Sequence, residues 1–253
     1  MTKLPVLVAH RGDAERFPEN TLLGLEAAFR CGACIVEFDI QISADGVPVL
    51  FHDYELQRIV GVPGTVCDMP LQNLQLFDVS EPARLGNRFS QIRIPTLAQA
   101  ITLLKRWPNR HAFMEIKPES LKAFGIHKVV KAVMAVIEND VEQLTIISKD
   151  MLVLSHVRAL GARSIGWVID TWGEESRSQA ARLVPNYLFA NYRGIPSDAD
   201  NLWPGPWQWV LYDVTKPELA CILATWGAQF IETWDVETML QDDKLRTKAC
   251  IEH

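Results

Sequence analysis

Short apolar runs recur along the chain, and apolar residues at helical spacing lie between them. The first run, VLVA over residues 6–9, stops at His10, Arg11 and Gly12. Leu22, Leu25, Ala28 and Phe29 then repeat on one helical face after Asn20 or Thr21, and Gly32 is placed to end that helix. Strands are expected over 35–40 and 47–51, the second following an Asp45-Gly46 turn. Residues 53–95 break the rhythm, where Gly61, Pro63, Gly64, Pro70 and Pro82 mark a long excursion or small lobe. A helix resumes over 96–107, with Leu97, Ala100, Ile101 and Leu104 inward.

The second half alternates more regularly. Strands are expected over 111–116, 144–147, 164–168, 187–190, 209–212 and 229–233. Helices fall between them over 126–138, 151–160, 174–183 and 217–225, with a short turn around 198–203 and a last helix from Val236 or Glu237. Short, continuously apolar strands between helices imply parallel strands buried on both faces. The pattern predicts an α/β chain forming a (β/α)₈ TIM barrel, provided that 47–51 extends or pairs beside the second strand. An open doubly wound sheet is the alternative, but neither GxGxxG nor GxxxxGK[ST] is present. The whole chain, 1–253, is expected to form one domain that includes the excursion.

Composition narrows this further. With 253 residues and 48% hydrophobic content, the chain can fill a large core without cross-links. A net charge of −6 gives no general attraction to nucleic acid, so no such partner is expected. Five cysteines, an odd number, do not resemble a disulfide framework, and Cys31, Cys34, Cys67, Cys221 and Cys250 are expected to be small packing residues. The opening MTKLPVLVAHRGD is too short an apolar stretch for a signal peptide. No run approaches the ~18–20 apolar residues of a membrane span, so a cytoplasmic chain without stable membrane insertion is expected. Homo-oligomerisation stays open.

Charge placement carries the chemistry. His10 and Arg11 end the first strand, Glu37 and Asp39 lie late in the second, His52 and Asp53 end the short third, and Glu115 and Lys117 end the next. In a parallel barrel the C-terminal strand ends form the active face. Residues two apart on a strand point to one side, so Glu37 and Asp39 share a face, as do Glu115 and Lys117. Three converging carboxylates repel unless a cation or basic side chains sit among them, and their hard oxygens suit Mg²⁺ or Ca²⁺. Each residue taken singly has a plainer reading as a turn partner, strand cap or salt-bridge member. It is the convergence of unlike ionisable groups that points to a metal-assisted site.

The text VAHRGD at residues 8–13, FPENT at 17–21, VEFDIQISADGVPVLFHD at 36–53 and FMEIKP at 113–118 resembles the glycerophosphodiester phosphodiesterase family, including its small bacterial cytoplasmic members. IPTLAQA at 94–100 resembles that family's re-entry from a small inserted lobe. The resemblance implies a TIM barrel with an insertion after the second strand region. It implies metal-dependent hydrolysis of a small glycerophosphodiester to sn-glycerol 3-phosphate and an alcohol. By motif, Glu37, Asp39 and Glu115 resemble the ligands of one divalent cation, Mg²⁺ or Ca²⁺. His10 and His52 resemble the acid/base pair, and Arg11 and Lys117 the phosphate-binding groups. Asn20 is expected to order the first loop, with Glu19 and Thr21 structural. The second half departs from the pattern at Ser148-Lys149-Asp150, Tyr212-Asp213-Val214-Thr215 and Glu232-Thr233-Trp234-Asp235. Tyr212 is therefore the candidate contact on the alcohol side, with Trp167, Trp172, Trp203 and Trp234 as further aromatic candidates. A lysophospholipid-type phosphodiesterase and a catalytically silent phosphate-ligand-binding barrel remain the alternative readings.

Overall fold

A computed structural model describes residues 4–137, 142–196, 201–246 and 250. Nine strands occur among them: β1 (Val6–Ala9), β2 (Ile35–Ile42), β3 (Pro48–Leu50), β4 (His111–Ile116), β5 (Leu144–Ser148), β6 (Ile165–Val168), β7 (Tyr187–Asn191), β8 (Gln208–Tyr212) and β9 (Phe230–Thr233). All except β3 run parallel, in the order β1-β9-β8-β7-β6-β5-β4-β2, and the β1–β2 pairing closes the ring. The eight parallel strands, with helices between them, form a (β/α)₈ TIM barrel. β3 pairs antiparallel with the extended end of β2, placing Leu50 opposite Ile40 and Pro48 opposite Ile42. It is thus an appendage of the second strand and not a stave of the barrel.

Helix ends follow local chemistry. Thr21 caps the helix Leu22–Cys31 by accepting from the Gly24 N–H, and Gly32 ends it at φ 111°. Thr96 and Gln99 form a capping box that starts the helix Leu97–Lys105. The helix Pro118–Phe124 was not anticipated; Pro118 at its first turn begins it directly after β4. The expected turn around 198–203 and the last residue of the expected 126–138 helix fall partly outside the described residues.

Two apolar layers flank the strands. Outward residues such as Leu7, Phe38, Met114, Leu188, Leu211 and Ile231 pack against the helices. Inward residues Val8, Ile35, Phe113, Tyr187, Val210 and Phe230 fill the lower barrel. Gly166 leaves room for this filling, because a Cβ there would meet Ile147 and Phe189, each at 2.8 Å. Within residues 53–95, Leu56, Val66, Leu74, Val79 and Ile94 form a separate small cluster with Val49 and Phe51.

One expectation about cysteine is corrected. Cys34, at the foot of β2, is disulfide-bonded to Cys250 across 216 positions. Cys31, Cys67 and Cys221 are free. The odd count gave no sign of the bond, and the CxxC spacing of Cys31 and Cys34 does not mark the bonded pair; Cys34 and Cys250 are brought together only by the fold.

Candidate active site

The alternation of strand side chains builds the site from the barrel's own filling. One step above each apolar floor residue, two positions along the same strand, the inward residue becomes polar. Val8 is followed by His10, Ile35 by Glu37 and then Asp39, Phe113 by Glu115, Val210 by Tyr212, and Phe230 by Glu232. On the opposite wall the same level stays apolar, with Ile147, Val168 and Phe189. His10, Glu37, Glu115, Tyr212 and Glu232 face Ile147, Val168 and Phe189 across one cavity of about 640 Å³ at the C-terminal ends of the strands, lined also by Arg11, His52, Asp53, Lys117, Lys149 and Asp213.

The charged half is tightly wired. Lys117 Nζ lies 3.0 Å from both Asp39 Oδ1 and Glu115 Oε2. Arg11 Nε lies 3.3 Å from Asp39 Oδ2, its Nη1 donates to Glu19 Oε1 at 2.9 Å, and its backbone N–H donates to Glu37 Oε2 at 3.1 Å. Asn20 sits behind the cavity, where Nδ2 donates to Asp39 Oδ2 at 2.8 Å and Oδ1 accepts from the Asp39 N–H at 3.0 Å. Both Arg11 and Asn20 have positive φ, 56° and 54°. Gly12 beside them is required, because a Cβ would come within 2.6 Å of the Gly24 backbone.

The residues of the excursion hold this first loop from outside. Arg58 donates through Nη1 and Nη2 to the two Glu19 carboxylate oxygens, each at 2.8 Å. Glu81 accepts from the Glu19 N–H at 2.7 Å, and Arg84 donates to the carbonyls of Ala14 and Phe17. Arg58 also reaches Asp53, which accepts from or shares a proton with His52 Nδ1 at 2.6 Å. Engagement of Nδ1 leaves His52 Nε2 as the nitrogen available to the cavity.

Electrostatics follow from burial and crowding. Burial, then Asp39 and Glu232, push the Glu37 carboxyl well above its usual range. Burial also raises Glu115, only partly offset by Lys117, whereas Lys117 and Arg11 outweigh burial and hold Asp39 below its usual range. Asp39 and Glu115 in turn outweigh the burial of Lys117 and raise it. Burial and then Arg11 place His10 well below its usual value, and its Nε2 lies 3.3 Å from Glu232 Oε1. The Tyr212 phenol is pushed up to about 12 by burial and by Glu232, Asp213 and Glu115.

A divalent cation fits this chemistry. Glu37, Asp39 and Glu115 each offer an oxygen within 4.8 Å of the others, and all three are buried. Glu115 Oε1 has no hydrogen-bond partner, a costly state for a buried carboxylate unless a cation takes it up. An all-oxygen donor set matches Mg²⁺ or Ca²⁺.

Residues 10–183 match the model of the Glycerophosphoryl diester phosphodiesterase family. The chain belongs to that family. Its relatives include glycerophosphodiester phosphodiesterase 1 of Mus musculus, 39% identical over 44% of this chain and 33% of the mouse protein. The matching stretch therefore spans about a third of that relative's length. A glycerophosphodiester phosphodiesterase of Caldanaerobacter subterraneus is 29% identical over 72% of this chain and 76% of its own. Among solved structures, an Oleispira antarctica phosphodiesterase in complex with the product sn-glycerol-3-phosphate superposes with a TM-score of 0.80 at 23% identity, covering 94% of this chain and 96% of that one. A Silicibacter pomeroyi protein reaches a TM-score of 0.82 at 19% identity, covering 97% and 96%.

The sequence-derived candidates His10, Arg11, Glu37, His52, Glu115, Lys117 and Tyr212 all line the cavity, and Asp39 and Asn20 stand directly behind it. Of the aromatic candidates, Trp234 packs against His10 and under the Arg11 guanidinium, with 4.7 Å to the ring centroid in each case. Trp172 and Trp203 stack on each other at 4.0 Å, and Trp167 is buried; all three belong to the outer core and none lines the cavity. Sequence reasoning missed Asp53 as the partner of His52, Arg58 as the clamp on Glu19, and Glu232 as an inward carboxylate. The signal for Glu232 was present: it stands two positions beyond Phe230 in a short buried strand, as Glu115 stands two beyond Phe113.

Proposed function

We propose that the chain hydrolyses a small glycerophosphodiester to sn-glycerol 3-phosphate and an alcohol, with one divalent cation, Mg²⁺ or Ca²⁺, held by Glu37, Asp39 and Glu115. The carrying observation is the meeting of two histidines, those carboxylates and two fixed cationic side chains around one 640 Å³ cavity. Bound there, the cation would supply positive charge for the nonbridging phosphate oxygens.

Arg11 and Lys117 bind the phosphate, and their salt bridges hold them in place before substrate arrives, so little reorganisation accompanies charge development. His52, held through Nδ1 by Asp53, presents Nε2 for proton transfer, and His10 works from across the carboxylate group. One imidazole takes the proton of the attacking hydroxyl while the other delivers one to the leaving oxygen. Tyr212 and the apolar wall of Ile147, Val168 and Phe189 receive the organic part of the substrate. The intact His52–Asp53 pair supports an enzyme over a silent phosphate-binding barrel. Asn20 acts indirectly by fixing Asp39, and the 53–95 excursion works with the barrel as one domain through Arg58, Glu81 and Arg84.

No helix among the described residues is long and apolar enough to cross a membrane. The cytoplasmic reading meets an opposing observation in the Cys34–Cys250 disulfide, since such bonds persist mainly in oxidising compartments. The mass of alkylated protein isolated from cells without reductant decides between the two settings.

The functional test is a panel of glycerophosphodiesters assayed with metal-depleted protein, followed by separate readdition of Mg²⁺, Ca²⁺ and Mn²⁺. Release of sn-glycerol 3-phosphate that is lost on depletion and restored by one of these ions is the expected outcome. Turnover that is absent with every ion and every head group overturns the proposal.

A further inference from the structure

Glu232 has no place in the arrangement just described, and its surroundings are unusual. It rises from β9 into the cavity, is 4% exposed, and has one polar contact among the described residues, His10 Nε2 at 3.3 Å. Among the described residues no other group donates to its carboxylate, which opens onto the cavity. Glu37 and Glu115 line the same cavity beside it. Arg11 and Lys117, the cations of the site, are already engaged by Asp39, Glu19 and Glu115. Glu232 is thus a fourth buried carboxylate with no Lys or Arg paired to it among the described residues.

We infer that His10, Glu37 and Glu232 form a second cation position, of the Zn²⁺ class, which shares Glu37 with the first. These three residues each offer a ligand atom within 4.8 Å of the others, as Glu37, Asp39 and Glu115 do on the other side of Glu37. The two groups differ in chemistry. The first is all oxygen, whereas the second adds an imidazole nitrogen, which favours Zn²⁺ over Mg²⁺ or Ca²⁺. His10 is already oriented for the task. Trp234 packs on its ring, Nε2 lies 3.8 Å from Glu37 and 3.3 Å from Glu232, and Nδ1 has no partner that would dictate the tautomer. Carboxylate-bridged cation pairs are a common arrangement in phosphoester-processing sites.

Occupancy has a functional consequence, which rests on the acid/base reading of His10. Zn²⁺ bound through Nε2 takes the lone pair that proton transfer needs, so a chain carrying Mg²⁺ in the first position and Zn²⁺ in the second is switched off. The position thus makes the site sensitive to transition metals while leaving its Mg²⁺ group complete.

The test loads metal-depleted protein with saturating Mg²⁺ and dialyses it against graded Zn²⁺, measuring both metals per chain. Wild type should take up one Zn²⁺ while retaining its Mg²⁺, and inhibition should follow Zn²⁺ occupancy without relief by excess Mg²⁺. In Glu232→Gln the Zn²⁺ step should weaken by roughly tenfold or more, since even outer-shell changes cost about 10–100-fold in metal affinity. One-for-one displacement of Mg²⁺ by Zn²⁺, or equal Zn²⁺ affinity in the variant, overturns the inference. A measurement on wild type alone guards against a variant that does not fold. Zn²⁺, but not Mg²⁺, should shield His10 from diethyl pyrocarbonate, and equal labelling in both metals refutes the site. Zn²⁺ binding of this form in a protein that cleaves no glycerophosphodiester would leave this position standing and sink the proposed activity.

Discussion

Asn20→Ala offers a measurable perturbation of the site that touches no cavity-lining side chain. Asn20 makes two hydrogen bonds to Asp39, one to the carboxylate at 2.8 Å and one from the backbone N–H at 3.0 Å. The first is a bond to a charged group, worth about 1.5–3 kcal/mol, and loss of the second leaves a buried N–H unsatisfied at about 1–3 kcal/mol. Alanine also tolerates φ near 54° less well than asparagine does. The sum is a loss of about 4 kcal/mol, or roughly 8–16 °C in Tm for a chain of this size. Chemical denaturation of wild type and variant at pH 7 reads this directly. Asn20→Asp sharpens the test, because it keeps the shape and replaces a donor with a carboxylate 2.8 Å from Asp39 Oδ2. Two charges at that distance repel by about 6 kcal/mol at an effective dielectric of 20, so the introduced acid has a raised folded-state pKa. A group with a raised folded pKa contributes its stability at low pH and loses it as pH rises. The Asp variant should therefore approach wild type near pH 4 and fall progressively behind it toward pH 8. If Asn20→Ala unfolds within about 0.5 kcal/mol of wild type, or the Asp variant shows a pH-independent deficit, the account of Asp39 is wrong.

Further outcomes follow from other parts of the molecule. Replacing His10 or His52 by Ala should lower turnover about 10²–10⁴-fold; a diester with an activated leaving group should separate the two variants, and near-wild-type rates in both would remove them from proton transfer. Tyr212→Ala should change selectivity among head groups more than it changes Mg²⁺ affinity in calorimetry, whereas an equal loss for all substrates with a matching fall in Tm would mark Tyr212 as packing alone. Asp13, raised to about 6 by burial and by Glu237 and Asp235 against the pull of Arg16, penalises the folded state increasingly as pH climbs from about 4 through 6. Asp13→Asn should accordingly gain on wild type by about 1–3 kcal/mol over that window in urea denaturation, and a constant offset would contradict the assignment. Reducing the Cys34–Cys250 bond, which closes a loop of 216 positions, should lower stability by at most about 5 kcal/mol on the chain-entropy view, and an unchanged midpoint with dithiothreitol would show that closure contributes nothing.

The parts of the fold legible in sequence are those fixed by short-range pattern. The stretch 111–116 is a strand because His111 to Ile116 alternates between two buried faces, and the 174–183 and 217–225 helices have the expected bounds. β3 could be placed beside β2 but not oriented, since three residues carry no information on direction. Site residues were legible where a motif joined them to a strand end, as with His10, Glu37 and Glu115. Asp53 stood within such a motif, yet its bond to His52 depends on side-chain torsions that spacing does not encode. Arg58 and Cys250 were invisible for another reason. Each acts through a partner 39 or 216 positions away, so only the closed fold brings its contact into being.

The clamp between Arg58 and Glu19 also bears on how such barrels could exchange parts. A loop grafted from one barrel to another usually needs only matching ends, because the staves beneath it are indifferent to its contents. Here the inserted segment grips the loop that carries Arg11 and Asn20, and Arg11 and Asn20 in turn grip Asp39. A transplanted segment lacking an arginine at the Arg58 position would leave Glu19 facing Arg11 alone and loosen Asp39, a proposed cation ligand that it never touches. Shuffling of this lobe is therefore constrained to pairs: Arg58 must travel with Glu19, and a library that recombines residues 53–95 without residues 11–20 should be rich in folded, inert barrels.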